Sequence, residues 1–191
     1  VSVKTYSKKK SGSVKLSVNF TVAEFACHDG SDTVLISGEL VTLLQKIRDH
    51  FGKPVTINSA YRTAAWNAKQ GGAPKSQHLS GTAADITIPG VSPLTVAQYT
   101  EFLQPVTGGI GVYPSFVHVD VRNTRTRWDS RSGSEKAVSG WQGYSEASKL
   151  DQAVDKLVKA GVIDSPERWK AGDWTDRAVE LLLIKMAGAL V

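Results

Sequence analysis

Ser76-Gln77-His78-Leu79-Ser80-Gly81-Thr82-Ala83-Ala84-Asp85-Ile86-Thr87-Ile88 is the stretch on which the reading of this chain turns. Ala84, Ile86 and Ile88 alternate with Asp85 and Thr87, the period of a strand with one face in the core and Asp85 on the other. His78 falls on the Gly- and Ser-containing turn that leads into it. A second stretch, Gly108-Gly-Ile-Gly-Val-Tyr113-Pro-Ser-Phe-Val-His118-Val-Asp120, ends in the same pattern. There Val117, Val119 and Val121 form one face, and Phe116, His118, Asp120 and Arg122 form the opposite one. His118 and Asp120 therefore point to the same side of a sheet. If the two strands are neighbours, a cleft above their polar faces gathers His78, Asp85 and His118. Two imidazoles and a carboxylate are the donor set of an open zinc site, which takes three protein ligands and keeps the fourth position for water. Cys27 is the only cysteine, so a closed, Cys-rich structural site is excluded.

Further motifs stand in order around these stretches. Asn58-Ser59-Ala60-Tyr61-Arg62-Thr63 and Gly71-Gly72-Ala73 precede Ser76-x-His78-x-x-Gly81-x-Ala83-x-Asp85, and Gly108-Gly-Ile-Gly-x-Tyr113-Pro leads to His118-x-Asp120. Together they resemble the zinc D-alanyl-D-alanine carboxypeptidase family over about residues 18 to 128. That family belongs to a wider metallopeptidase group that also holds lysostaphin-like enzymes and the hedgehog signalling domain. The resemblance implies cleavage of bacterial cell-wall peptides, with Zn2+ held by His78, Asp85 and His118. It implies Arg62 as the cation that grips a substrate carboxylate or polarised carbonyl, with Ser76 and Tyr113 as further substrate contacts.

The residue types suit that chemistry. Zinc lowers the pKa of its bound water from ~15.7 towards ~7 and polarises the scissile carbonyl. A guanidinium is a planar fork that holds a carboxylate at two points, and the turn after the strand Pro54-Val-Thr-Ile-Asn58 aims Arg62. The chain departs from the family in one respect. Where relatives carry a Glu or Asp a few residues before the third ligand, Val112-Tyr-Pro-Ser-Phe-Val117 has no acid. Asp120 then has two open roles, as the base that accepts a proton from zinc-bound water or as the carboxylate that orients His118. A third arrangement puts Asp120 on the metal and His118 behind it.

The remaining histidines have simpler accounts. Leu40, Leu43, Leu44, Ile47 and Phe51 recur at helical spacing after Ser37 as N-cap and before Gly52 and Pro54, so His50 is a cation at a helix C-terminus. His28 beside Cys27 falls far short of a second metal site and reads as a structural turn.

Hydrophobic residues make up 41% of the chain and charged residues 21%, which excludes disorder as its global state. No apolar run approaches the ~20 residues that cross a bilayer, so membrane insertion is not expected. The N-terminal residues lack the apolar core of a secretory signal, which leaves removal of a signal or another exit from the cell as the expectation. The net charge of +5 owes much to Lys4, Lys8, Lys9, Lys10 and Lys15, a run that reads as a solvated tail attracted to anionic wall polymers. Aromatic residues are not interleaved with a basic stripe, and nucleic acid is not expected as a partner.

After Trp128, the Ser- and Gly-rich run from Asp129 to Tyr144 reads as a linker. Leu150, Ala153, Val154, Leu157 and Val158 then mark one helical face that Gly161 ends. Ser165-Pro166 opens a short helix through Trp169, and Val179, Leu182, Leu183, Met186 and Leu190 mark a third. Three such helices lie near the lower size limit for independent stability, so docking or self-association is expected of them. They resemble the short helical modules at the ends of phage and bacterial wall-lytic enzymes. Trp169 and Trp174 are expected as core aromatics in preference to a carbohydrate platform.

The expected organisation is a basic segment over 1–17, a zinc peptidase domain over 18–128, a linker over 129–145 and a helical module over 146–191. The expected fold class is α+β, a small antiparallel sheet whose flanking helices carry the zinc cleft. The expected function is hydrolysis of peptidoglycan stem or cross-link peptides by zinc-activated water, as a carboxypeptidase or an endopeptidase. An endolysin of a bacteriophage, released through a holin or carried on a virion, is the expected setting, with a secreted bacterial autolysin as the alternative. The rival from another class is a catalytically silent zinc module that binds the wall or a protein partner.

Overall fold

Capped amphipathic runs alternate with short Val- and Ile-rich strands along the chain. The computed structural model describes residues 2–144, 153–155, 157–161, 169–171, 179, 184 and 186. The chain divides into two compact units, Val1–Gln142 and Gly143–Val191. The first unit carries β1 (Val3–Ser7), α1 (Lys8–Ser11), β2 (Thr33–Ser37), α2 (Gly38–Phe51), β3 (Thr56–Ser59) and α3 (Ala64–Lys69). It continues through β4 (Ala83–Thr87), α4 (Pro93–Leu103), β5 (Gly109–Val112), β6 (Val117–Asp120), β7 (Thr126–Asp129) and β8 (Lys136–Ala137).

The helices begin and end where local chemistry says they must. Ser37 Oγ accepts the Leu40 N–H at the start of α2, and Gly52 ends it in the left-handed region at φ 59°. Leu40, Leu44 and Ile47 on its inner face are fully buried. Ser92 caps α4 with Pro93 in its first turn. α4 lies against β5 and β6, and α2 against α4 and β2. The core side of the large sheet is Ala84 and Ile86 of β4, Ile110 and Val112 of β5, and Val117 and Val119 of β6, all fully buried.

The architecture is α+β, but the sheet is larger than expected and it is mixed. Six strands run in the order β3-β4-β6-β5-β7-β8, antiparallel except for the parallel pair β5 and β7. The parallel pair follows from chain order. β5, β6 and β7 run up, down and up, and β6 fits between β4 and β5, so β7 takes the free edge of β5.

Two further stretches differ from their reading in sequence. The basic run expected over 1–17 is folded from residue 2 onward and not a solvated tail: β1 pairs antiparallel with β2, and Asp32 accepts the Lys9 N–H and the Ser7 hydroxyl. The run after Trp128 supplies β8 to the sheet edge and the buried Trp141, whose indole N–H donates to the Ile110 carbonyl. Residues 129–142 thus belong to the first unit. Among the described residues of the second unit, Ala153 and Leu157 form a buried cluster joined by Trp169, Val179 and Ile184. Leu150, Ser165-Pro166, Trp174, Leu182, Leu183 and Leu190 lie outside the described residues.

Candidate metal centre

Strand register writes the site as a row across the sheet. Ser59 of β3 pairs with Asp85 of β4, Asp85 with His118 of β6, His118 with Gly111 of β5, and Gly111 with Trp128 of β7. A second row runs Ala83, Asp120, Gly109 and Thr126. Side chains two residues apart share a face, so Asp85, His118, Asp120 and Trp128 all rise from the side opposite the core. The glycines of β5 are the partners that make room. A Cβ on Gly109 would stand 2.2 Å from Asp120 Oδ2, and one on Gly111 would stand 2.1 Å from the Trp128 ring.

His78 arrives from outside the sheet. It lies on a 3-10 turn, Gln77–Ser80, whose N-cap is Ser76 and which Gly81 ends at φ 66°. Its carbonyl accepts the Arg62 N–H, which ties the turn to the loop after β3. His78 Nε2 stands 3.2 Å from His118 Nδ1 and 3.3 Å from Asp85 Oδ1, and His118 Nδ1 stands 2.9 Å from the same oxygen. Donors on a tetrahedral zinc at ~2.0–2.1 Å stand roughly 3.3 Å apart, so this triangle is close to the size that zinc needs. All three residues are buried, and among the described residues they are the group of His, Cys, Asp and Glu near enough to share one ion.

The far side of each imidazole fixes its tautomer. His78 Nδ1 donates to the Ala60 carbonyl at 2.6 Å, and His118 Nε2 donates to Asp120 Oδ2 at 3.1 Å. Their other nitrogens therefore point lone pairs at the Asp85 oxygen and at each other, an arrangement that only a cation satisfies. Burial opposes charge on Asp85, but the imidazoles beside it, His118 first, outweigh it and hold the carboxyl well below the usual range. Burial likewise opposes charge on His118, yet its bonds to Asp120 and Asp85 prevail and lift its pKa to about 9. Without a metal, a proton on His118 is the cation.

Asp120 is fully buried behind His118, on the ring nitrogen turned away from the triangle. Its Oδ1 accepts from the Gly109 and Arg122 backbone N–H groups, and the Arg122 guanidinium grips both oxygens. That geometry runs against Asp120 as the base and against Asp120 on the metal, because neither oxygen faces the position where water or a metal ion would sit. It is the geometry of a carboxylate that orients an imidazole. Arg62 donates from Nη2 to Asp85 Oδ2 at 2.6 Å and from Nε to Ser59 Oγ at 2.8 Å. Among the described residues, its Nη1 makes no hydrogen bond.

A cleft of about 610 Å³ opens over the triangle, with Arg62, Ser76 and Tyr113 in its walls. Ser76 also holds the His78 turn, since its Oγ accepts the His78 N–H. Tyr113 stacks on Phe116 and accepts the Trp128 indole N–H at 3.1 Å. Sequence reasoning gave no role to Lys75, Arg122, Trp128 and Glu135, which line the same cleft. Arg122 is legible as a neighbour of His118 and Asp120 on one strand face, whereas Trp128 and Glu135 depend on which strand docks beside β5, and Lys75 lies on the loop before the His78 turn. His28 is exposed in a turn and Cys27 is buried and free. His50 stacks on Tyr99 with ring centroids 3.6 Å apart.

Comparison with known proteins agrees with this picture. The model of a family described as peptidase M15 matches residues 18–120. A protein of Streptomyces albus G named zinc D-Ala-D-Ala carboxypeptidase is 35% identical over 104 residues, 46% of this chain and 41% of that protein. One of Haemophilus influenzae named probable peptidoglycan L,D-endopeptidase MepK is 37% identical over 79 residues, 38% of this chain and 41% of that protein. The chain thus spans about two fifths of the length of the curated relatives it matches.

Proposed function

The chain belongs to the peptidase M15 family, and from that premise we propose that it is a zinc peptidase of bacterial peptidoglycan, with Zn2+ held by His78, Asp85 and His118. The observation that carries this is the triangle of two imidazole lone pairs and a carboxylate oxygen, each side between 2.9 and 3.3 Å, with both tautomers fixed from behind. The names of the two relatives, one a zinc D-Ala-D-Ala carboxypeptidase and the other a probable peptidoglycan L,D-endopeptidase, support the metal and the substrate class.

Zinc bound there supplies an acidified water and a Lewis acid for the scissile carbonyl. The protein's own part is placement. Asp120, locked by Gly109 and Arg122, keeps the His118 ring turned and its Nδ1 unprotonated when metal is present. Arg62 is braced by Asp85 and Ser59, and we assign its remaining donor to a substrate carboxylate or carbonyl next to the scissile bond. Tyr113, Phe116 and Trp128 give the peptide an aromatic wall. For the second unit, the packing of Leu157 with Trp169, Val179 and Ile184 supports a helical module with a core of its own, serving wall binding or self-association.

The test is release of D-alanine or of new amino termini from purified peptidoglycan by the zinc-loaded chain. Release that stops on chelation and in His118→Ala supports the proposal, and mass spectrometry of the products tells a carboxypeptidase from an endopeptidase. One bound zinc without release would overturn it in favour of a silent wall-binding module.

A further inference from the structure

The cleft has a direction, and its two ends differ in charge. Charges that line it are mostly committed: Arg62 to Asp85, and Arg122 to Asp120. Asp85 belongs to the triangle, which leaves Glu135 as the one carboxylate among the described lining residues that makes no ion pair or hydrogen bond. Glu135 stands directly before β8, two residues from Ala137, which pairs with Trp128. Alternation therefore puts Glu135 on the face that carries Trp128 and His118. The cations Arg62 and Lys75 come from the loops before β4, at the other end of the sheet order.

Three strand spacings, from β6 through β5 and β7 to β8, separate His118 from the Glu135 end. At ~4.8 Å per spacing that is about 14 Å, the span of roughly four extended residues at ~3.3 Å each. The ground between is aromatic. Tyr113 and Phe116 stack with centroids 4.3 Å apart, and Trp128 lies over Gly111 with its indole bonded to the Tyr113 hydroxyl. This strip suits the side chains of an extended peptide, and its far end suits a cation.

We propose that Glu135 is a specificity residue for the amino side of the substrate, pairing with an ammonium group held about 14 Å from the scissile bond while the substrate's carboxyl side lies towards Arg62. The inference rests on the peptidase reading given above. The ammonium has two sources, the α-amino group of a short peptide or the side chain of a diamino acid within it, and both present the same chemistry to the carboxylate.

The experiment uses the zinc-loaded full chain and pentapeptides that end in D-Ala-D-Ala with lysine at the third position. One peptide has a free α-amino group only, one a free lysine amine only, and one is acetylated at both. KM and kcat are measured for each, and the same peptides are titrated by calorimetry so that affinity is read with or without turnover. An exposed ion pair predicts about threefold to fivefold tighter binding of one amine peptide over the neutral one at low salt, shrinking as salt rises. Glu135→Gln erases that preference through KM, and Glu135→Lys reverses it. The free-amine peptide that shows the preference identifies the source. Equal affinity for all three peptides, or a preference that survives Glu135→Gln, overturns the role of Glu135. Absence of cleavage with the amine preference intact would instead contradict the peptidase reading.

Discussion

His78 Nε2 and His118 Nδ1 face each other across 3.2 Å, and between two neutral rings, with His78 Nδ1–H bonded to Ala60 and His118 Nε2–H to Asp120, neither has a hydrogen to give the other. With Asp85 Oδ1 at 2.9 Å from His118 Nδ1, the three atoms are placed to share a cation. Because His118 titrates at about 9 without metal, zinc binding near neutral pH expels a proton. Calorimetry in buffers of different protonation enthalpy should read about one proton released per zinc at about pH 7, and apparent affinity should rise roughly tenfold per pH unit until His118's own pKa is passed. Zinc uptake with no proton release contradicts the arrangement.

The zinc-free chain carries a matching stability signature. The pKa of His118 is raised by folding from 6.5, so its contribution is complete below about pH 6.5 and is lost as pH rises through about 9. Asp85 and Asp120 act in the opposite sense. Their lowered carboxyls contribute above the ordinary value of about 3.9 and lose that contribution as pH falls. Denaturant midpoints of the zinc-free chain should therefore decline on both sides of a plateau near about pH 5–6.5. A midpoint that climbs between about pH 7 and 9 would contradict the charged His118.

Gly109→Ala tests the support behind His118 without touching a proposed ligand. Its Cβ would stand 2.2 Å from the Asp120 carboxylate, which is fully buried, so one of the two must shift. Displacing that carboxylate should weaken zinc binding by about 10–100-fold, the range seen when carboxylates behind zinc imidazoles are removed. Asp120→Ala should give a similar loss. Wild-type zinc affinity in Gly109→Ala would mean that Asp120 does not orient His118.

Gly111→Ala separates the cleft wall from the metal. The added methyl would meet the Trp128 ring at 2.1 Å and push it from its place between His118 and Tyr113. Overpacking of this kind costs about 1–3 kcal/mol, read as a lower unfolding midpoint with altered tryptophan fluorescence. An unchanged midpoint would show that Trp128 has slack the structure does not display.

Two corners of the triangle were legible because Asp85 and His118 sit on strands with clean alternation, whereas His78, on the 3-10 turn before β4, was legible only through its motif. Val117 and Val119 face the core, so His118 and Asp120 face the cleft, and the same holds for Ala84 and Ile86 against Asp85. The role of Asp120 stayed open because sequence places it on the right face but does not say which ring nitrogen it meets. β7 was hidden for another reason. Its core-facing residue is Arg127, buried by Glu101 and the carbonyls of Gln104, Thr107 and Gly108, so Thr126-Arg-Trp-Asp129 shows no apolar period. β8 is two residues long, too short to carry any period. The basic N-terminal run looked like a tail because its lysines mask the strand before them, which β2 and Asp32 hold in place.

Zinc content and affinity of the whole chain, with His78→Ala, Asp85→Ala and His118→Ala compared for fold by circular dichroism, test the metal assignment most directly. One tightly bound zinc, weakened at least about 100-fold by each substitution in a folded protein, is the predicted result. Zinc held equally well after loss of any one of the three side chains would contradict it.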